Sequence, residues 1–443
     1  MRITIVPHLY KIYRKHLAQF LIFRLLRALM VIAFRCVYRL LSWVMNYPQS
    51  GKYRFLALND CGKGIYQKKI VLDTGRGIEV PAPEFSGFCS ENTQARNPAI
   101  KIDPLALNVF KFPKATVVGG VDFLFVKRVA IHHDLFVPIL HKCPAENTGV
   151  VLINRTKENV TLYLTKKSKY VAKAVSLIGQ CSRNYAHWLT ETLPKLAVLD
   201  TCDEFSHWPL LVDDDLHPNM YASIDLINRN RREVIRVKRW EPVLLDQLVA
   251  VSQPGYERYA PHDIYSVSAP AYINVFSRFA LKQLRKSAIS GLEGGGLLFS
   301  KGIYLARSKE SANLRQIENL NEVESVARSL GVKLIRPETM EFREQVAICR
   351  DAKIIVAPIG ASLANMIFAP RGCKVIVLSS YCDEATYYYY TNLAGVLGHE
   401  LRYVLGPQVG KKLHPIHRNY HIDTDTLKEV LEQAYKGIKF KVS

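Results

Sequence analysis

The chain has 443 residues, 49% of them hydrophobic and 22% charged, and a formal charge of +21. That length exceeds one compact core and predicts two domains plus appendages, while the composition excludes a disordered chain. The nine cysteines, at 36, 61, 89, 143, 181, 202, 349, 373 and 382, are odd in number and lack any CxxC pair, which argues against a disulfide framework or a zinc site.

The charge begins at the N-terminus, where residues 1–59 hold ten Lys or Arg and no acid. Residues 17–45, "LAQFLIFRLLRALMVIAFRCVYRLLSWVM", are apolar, but four arginines interrupt them. No uncharged run approaches the roughly 18 residues of a membrane span. At 100° per residue Arg24, Arg27, Arg35 and Arg39 share an arc of about 120°, with Leu25, Leu29, Met30, Val37, Leu40 and Val44 opposite. The pattern predicts a basic amphipathic helix on an anionic membrane surface, with Trp43 at the acyl boundary; a helix docked on the protein's own core is the alternative. Arginines inside the apolar stretch argue against a signal peptide. Because the basic residues alternate with aliphatic side chains and not with stacking aromatics, nucleic acid is not an expected partner.

Residues 50–165 read as short strands, "ATVVGG", "DFLFVKRVAIH", "GVVLIN" and "VTLYLT", separated by Pro and Gly. Strand and helix then alternate: "VAKAVSLIG", the helix "RNYAHWLTETLPKLAVL", "WPLLVD", a helix near 217–228, "EVIRV" and "PVLLDQLVAVS". A helix over 263–287 leads to the Gly-rich linker "GLEGGGLLFSKG". Beyond it come "GIYLARS", helix 321–330, "VKLIRPE", helix 341–350, "AKIIVAP", helix 361–368, "KVIVLSS", a helix near 385–397, "LRYVLGP" and a closing helix at 423–436, capped by Asp423 or Thr424. The expected class is α/β: two Rossmann-like sheets facing a cleft. The expected division is an arm at 1–50, an N-terminal domain at 51–288, a nucleotide-binding domain at 289–410 and a basic tail at 411–443.

Several residues at strand ends suit phosphate and proton chemistry. Arg307 and Arg315 form two guanidinium forks fit for a diphosphate, or for salt bridges with Glu310, Glu318 or Glu322. In "APIGASLANMIFAP" Gly360 can take a positive φ, and the free amides at Ala361 and Ser362 would favour an anion; close packing explains the same turn. Asn321, with Glu324, reads as a helix cap, and Glu338 as a ribose acceptor or a second cap. His187 and Glu191, four apart on one helical face, could remove a proton from a hydroxyl, while Trp188 packs. Asp213-Asp214-Asp215 allows either a metal-holding triplet or solvated carboxylates before the helix entry His217-Pro218.

Taken together, "NYAHWLTETLPKL", "YLARSKESANLRQIENLNEV", "IRPETMEFREQVAICRDAKIIVAPIGASLANMIFAP" and "KVIVL" resemble the glycosyltransferase family 61 domain over about residues 175–380. On that resemblance Asn184, His187, Trp188, Arg307, Arg315, Asn321, Glu322, Glu338, Gln345, Gly360, Ala361, Leu363 and Asn365 fall on the family pattern, and Ile359 replaces the His that usually precedes Gly-Ala. The resemblance implies a GT-B architecture and an inverting sugar transfer. It also implies a nucleotide-sugar donor held by Arg307, Arg315, Asn321, Glu338, Gln345, Gly360, Ala361, Ser362 and Asn365, with His187 or Glu191 as base. The nucleotide sugar is a substrate, no cofactor is expected, and a metal is not required where arginines carry the countercharge. The acceptor is expected to be a glycan or a lipid-linked hydroxyl in surface polysaccharide or lipopolysaccharide assembly. The arm and cysteines fit the cytoplasmic face of a membrane. The sequons at Asn154 and Asn159 fit a secretory lumen entered as a type II membrane protein. A membrane-bound scaffold that has lost catalysis is the alternative that Ile359 raises.

Overall fold

A computed structural model describes residues 21–103, 106–133, 146–147, 149–154, 159–256, 274–292, 302–307, 315–382, 385–410 and 418–436. The arm's first twenty residues, the start of the helix expected over 263–287, most of the Gly-rich linker, residues 308–314 and the end of the basic tail lie outside the described residues.

Residues Leu21–Met45 form one helix, α1. One stripe docks: Tyr38 and Ser42 are buried, and Tyr38 meets Trp240 edge-on with ring centroids 5.3 Å apart. Arg39 lies over the Tyr163 ring. Leu25, Leu29, Met30, Val37, Leu40 and Val44 stay exposed. No helix among the described residues is long and apolar enough to cross a membrane.

The architecture is mixed α/β. A twelve-stranded sheet holds β1 (Leu107–Val118), β2 (Lys169–Ser176), β3 (Leu210–Asp213), β4 (Val234–Val237) and β5 (Pro242–Val251) in the order β4-β3-β2-β5-β1. The first four run parallel and β1 is antiparallel to β5. The alternation in the sequence thus gives the parallel strands but not a purely parallel sheet, because the mostly antiparallel strands of 50–165 join it through the β1 edge. Only residues 238–241 connect β4 to β5, although β3 and β2 stand between them, so the sheet curls back on itself. Gly119 permits the closure: its N donates to Glu241 O, and a Cβ there would lie 2.2 Å from Lys238 O.

The second sheet has six strands, all parallel. It contains β6 (Gly302–Leu305), β7 (Lys333–Ile335), β8 (Ile354–Pro358), β9 (Lys374–Ser380) and β10 (Glu400–Gly406), ordered β7-β6-β8-β9-β10. Strands β6 and β8 are buried throughout, as a sheet covered on both faces demands. Helices α2 (Leu320–Ser329), α3 (Phe342–Asp351) and α4 (Tyr388–Leu397) and a 3-10 helix, Ala361–Phe368, make the connections. The sixth strand, Glu84–Gly87, comes from the N-terminal region and pairs with β10. One apolar cluster runs between the sheets, with Val175, Trp188 and Leu193 of the first half and Leu363, Met366 and Phe368 of the second.

Candidate functional site

In chain order the strands β6 to β10 stand 2-1-3-4-5, a doubly wound order whose ligand crevice opens at the carboxyl ends of the first and third strands, β6 and β8. Arg307 follows β6, and Gly360 follows β8. Arg307 Nη1 donates to Ile359 O at 3.3 Å. Burial first, and then the neighbouring Arg315 guanidinium, push the Arg307 pKa down to about 10, while Tyr420, Tyr390 and Glu338 oppose the shift. Arg315 Nε is buried with no hydrogen-bond partner among the described residues. Two cations therefore stand together with exposed Glu338 beside them, an arrangement that suits a polyanion.

Gly360 has φ 172°, an extended conformation open to any residue, so the left-handed freedom expected of it is not used. An added Cβ would lie 3.8 Å from Arg307 Nη1, an ordinary contact, so packing does not require glycine here either. Its carbonyl accepts from Leu363 N and from Tyr390 Oη at 2.6 Å. The amides of Ala361 and Ser362 head the 3-10 helix, where no carbonyl precedes them in register.

Three residues grouped with this pocket lie elsewhere. Asn321 is exposed within the first turn of α2, and the cap is Asn319, whose side chain bonds Ile422 N and O. Gln345 and Asn365 are buried: Asn365 Nδ2 donates to Gln345 Oε1 at 3.0 Å, and Gln345 Nε2 to Pro337 O at 2.7 Å. Tyr185 Oη completes this cluster from the other half, 3.1 Å from Gln345 Oε1 and 2.9 Å from Asn365 Oδ1. These groups are spent on one another, which makes them a joint between the halves. The cap before α3 is Glu341, not Glu338.

Asn184 starts the helix on the facing half, accepting from Ala186 N at 3.0 Å. After Tyr185–His187 the chain widens into a π turn, Trp188–Thr192, before Leu193–Leu199. Pro194 has no N–H for the Thr190 carbonyl, and Leu193 N bonds back to Trp188 O instead. Gly255 packs on the freed carbonyl, where a Cβ would be 2.6 Å from Thr190 O.

His187 Nδ1 lies 2.7 Å from Glu191 Oε1, and Gln253 Nε2 donates to Glu191 Oε2 at 3.2 Å. Both His187 and Glu191 are buried. With Nδ1–H donating to Glu191, the imidazole keeps Nε2 as its acceptor nitrogen. Trp188 is structural, its Nε1 donating to Ser223 Oγ.

Asp122 and Lys195 carry no signal in the sequence. Asp122, in the turn after β1, accepts from Gln180 N at 2.7 Å; burial pushes its carboxyl up to about 6 against the opposing Gln180 bond and Lys195 charge. Lys195, half-buried, has its ammonium pKa lowered by burial and raised by Asp122 and Glu191. Asp213 serves the fold, accepting from Gly120 N, Gly179 N and Ser182 Oγ at 2.6, 2.9 and 2.6 Å. Asp215 pairs with Arg183 at 3.2 Å. Two of the triplet's side chains are thus divided, Asp213 as a loop anchor and Asp215 in an ion pair.

The first turn of α4 links the two halves. Tyr389 Oη lies 3.2 Å from Thr190 Oγ1, with its ring centroid 6.5 Å from that of His187, and Tyr390 bonds Gly360. The run "TYYYY" was the only signal for this pair. Comparison with curated proteins finds no match. The family model described as Glycosyltransferase 61 matches residues 185–376, a span that holds His187 and Glu191 as well as Arg307, Arg315 and Gly360. Over residues 185–376 the chain is thus similar to the Glycosyltransferase 61 family.

Proposed function

We propose that the protein transfers a sugar, with inversion, from a nucleotide-sugar donor to a hydroxyl of a glycan or lipid-linked acceptor, and that the two sheets act as the facing halves of a GT-B-like enzyme. The paired guanidiniums of Arg307 and Arg315 at the crevice of the second sheet carry this reading. They would neutralise the donor diphosphate, with the Ala361 and Ser362 amides on its oxygens and Glu338 accepting from the ribose. His187 Nε2 would take the proton of the acceptor hydroxyl, and Glu191 would stabilise the imidazolium formed. The acceptor oxygen bonds to the anomeric carbon as the bond to the diphosphate breaks. The electron pair leaves with the nucleoside diphosphate, whose new charge the arginines hold.

Under this reading the nucleotide sugar is a substrate, the sugar a hexose or pentose, and the arginines supply the countercharge without a divalent ion. Helix α1 would keep the enzyme on the cytoplasmic face of a membrane, in the assembly of a capsule, another surface polysaccharide or lipopolysaccharide. Thermal melting with UDP-, GDP-, CMP- and TDP-sugars, with and without a chelator, tests it. One donor should raise the melting temperature of the wild type and fail on Arg307→Ala and Arg315→Ala. No response from any donor on folded protein would refute the transferase reading and favour a non-catalytic scaffold. A response that the chelator abolishes would overturn the metal-free form.

A further inference from the structure

Glu191 stands in the π turn Trp188–Thr192, and the main chain there is pinned. Thr190 Oγ1 donates to Ala186 O at 2.8 Å, and Gly255 packs against Thr190 O. A pinned backbone still leaves a carboxylate free about its last torsion, which is broad and has no sharp minimum. Gln253 removes that freedom. Its Nε2 donates to Glu191 Oε2 at 3.2 Å, while Glu191 Oε1 lies 2.7 Å from His187 Nδ1, so the carboxylate is held at both oxygens.

Gln253 is itself braced on both sides. Ser252, which follows the end of β5, bonds Asn108 of β1: Ser252 N donates to Asn108 O at 2.9 Å, and Asn108 N to Ser252 Oγ at 2.6 Å. On the other side Pro254 O accepts from Ser277 N at 2.6 Å, and Gly255 pairs with Phe276. A strand end of the first sheet thus delivers an amide to the buried Glu191. An amide suits the place chemically. It donates without carrying charge, so it orients Glu191 and leaves the negative charge to an imidazolium at His187; a Lys or Arg would take part of that charge, and a second carboxylate would repel it.

We propose that Gln253 is a positioning residue for the His187–Glu191 pair, holding the Glu191 carboxylate in the orientation that keeps the His187 proton on Nδ1 and presents Nε2 to the acceptor hydroxyl. The catalytic consequence rests on the transferase reading; the orientation does not.

Two variants of the full chain test this, so that the result does not hang on one of them folding. Gln253→Met keeps the length and removes the donor, and Gln253→Glu keeps the shape and puts a carboxylate in the donor's place. Nitrogen NMR of histidine-labelled protein above neutral pH reads the tautomer, with the His187 signals assigned by their loss in His187→Gln. The wild type should show one tautomer at His187, protonated at Nδ1, and both Gln253 variants a mixture, at melting temperatures close to that of the wild type. For whichever UDP-, GDP-, CMP- or TDP-sugar raises the melting temperature, hydrolysis should fall about tenfold in kcat with KM unchanged, a part of the roughly hundredfold or more that a placed base contributes. A wild type that lacks the Nδ1–H tautomer, a single tautomer that survives in a folded variant, or a kcat that neither variant lowers overturns the proposal. Mixed tautomers in the variants with no nucleotide-sugar response in the wild type would keep the positioning role and remove the transferase reading. A donor response with the tautomer unchanged removes the positioning role alone.

Discussion

Tyr185 Oη and Asn365 Oδ1 lie 2.9 Å apart, and this contact ties the helix that bears His187 to the turn that bears Gly360. Gln345, buried beside them, shares the same hydroxyl. Tyr185→Phe removes the hydroxyl and leaves the buried Asn365 Oδ1 without its donor, while Gln345 Oε1 keeps the bond from Asn365 Nδ2. Urea denaturation should show a loss of about 1–3 kcal/mol. Asn365→Leu should cost a similar amount, because it removes one acceptor of Tyr185 and one donor to Gln345 while their own contact remains.

The same cluster marks how far the sequence could be read. Gln345 and Asn365 were marked only by the family resemblance, and their role depends on a partner 160 to 180 residues away, which no local pattern reveals. His187 and Glu191 were legible because a four-residue interval fixes a shared helical face; the π turn beneath them was not, since it arises from Pro194 and from Gly255, which packs in from another element. The parallel strands were legible from short apolar runs between helices. Asp122 was not, because the curl of the first sheet, and no local pattern, brings its turn to the Gln180 amide.

Gly255→Ala should show how closely the π turn is held. The new methyl would stand 2.6 Å from Thr190 O and 2.9 Å from Phe276 Cδ1. Overpacking of this kind costs about 1–3 kcal/mol. The expected result is a lower melting temperature and a transfer rate that falls further than the fraction unfolded explains, since Glu191 follows Thr190 directly.

Asp122 makes stability depend on pH. Its carboxyl sits at about 6 in the fold against an ordinary 3.8, so the folded state favours the proton between those values. The contribution is complete below 3.8 and is lost as pH rises through 6. Asp122→Asn removes this titration, and chemical denaturation should show the variant gaining on the wild type from pH 4 to pH 8, by at most about 3 kcal/mol. No gain across that interval would contradict the acid-favouring setting of this half-buried carboxyl.

His399 acts in the opposite sense. Its Nε2 lies 3.0 Å from Met366 O, and burial lowers its pKa from 6.5 to about 4. Its stabilising effect is present above 6.5 and disappears as pH falls toward 4, where the unfolded chain takes up the proton first. Compared with the wild type, His399→Gln should therefore gain as the solution is acidified from pH 6.5 to 4, by up to about 3 kcal/mol, read from paired denaturation curves at each pH.

The pairing of Glu84–Gly87 with β10 has a consequence for how the chain is made. Glu84 and Arg402, joined by an ion pair at that edge, are 318 residues apart. During synthesis the early strand leaves the ribosome long before its neighbour exists, and β10 cannot be flanked until the two meet across that loop. A nascent chain stopped before residue 400 would carry an orphan strand, and one lacking the first hundred residues would display an open sheet border. The second half of the molecule is therefore not a separable module: its border is supplied by the beginning of the chain, and fragments cut at the linker are expected to aggregate through it.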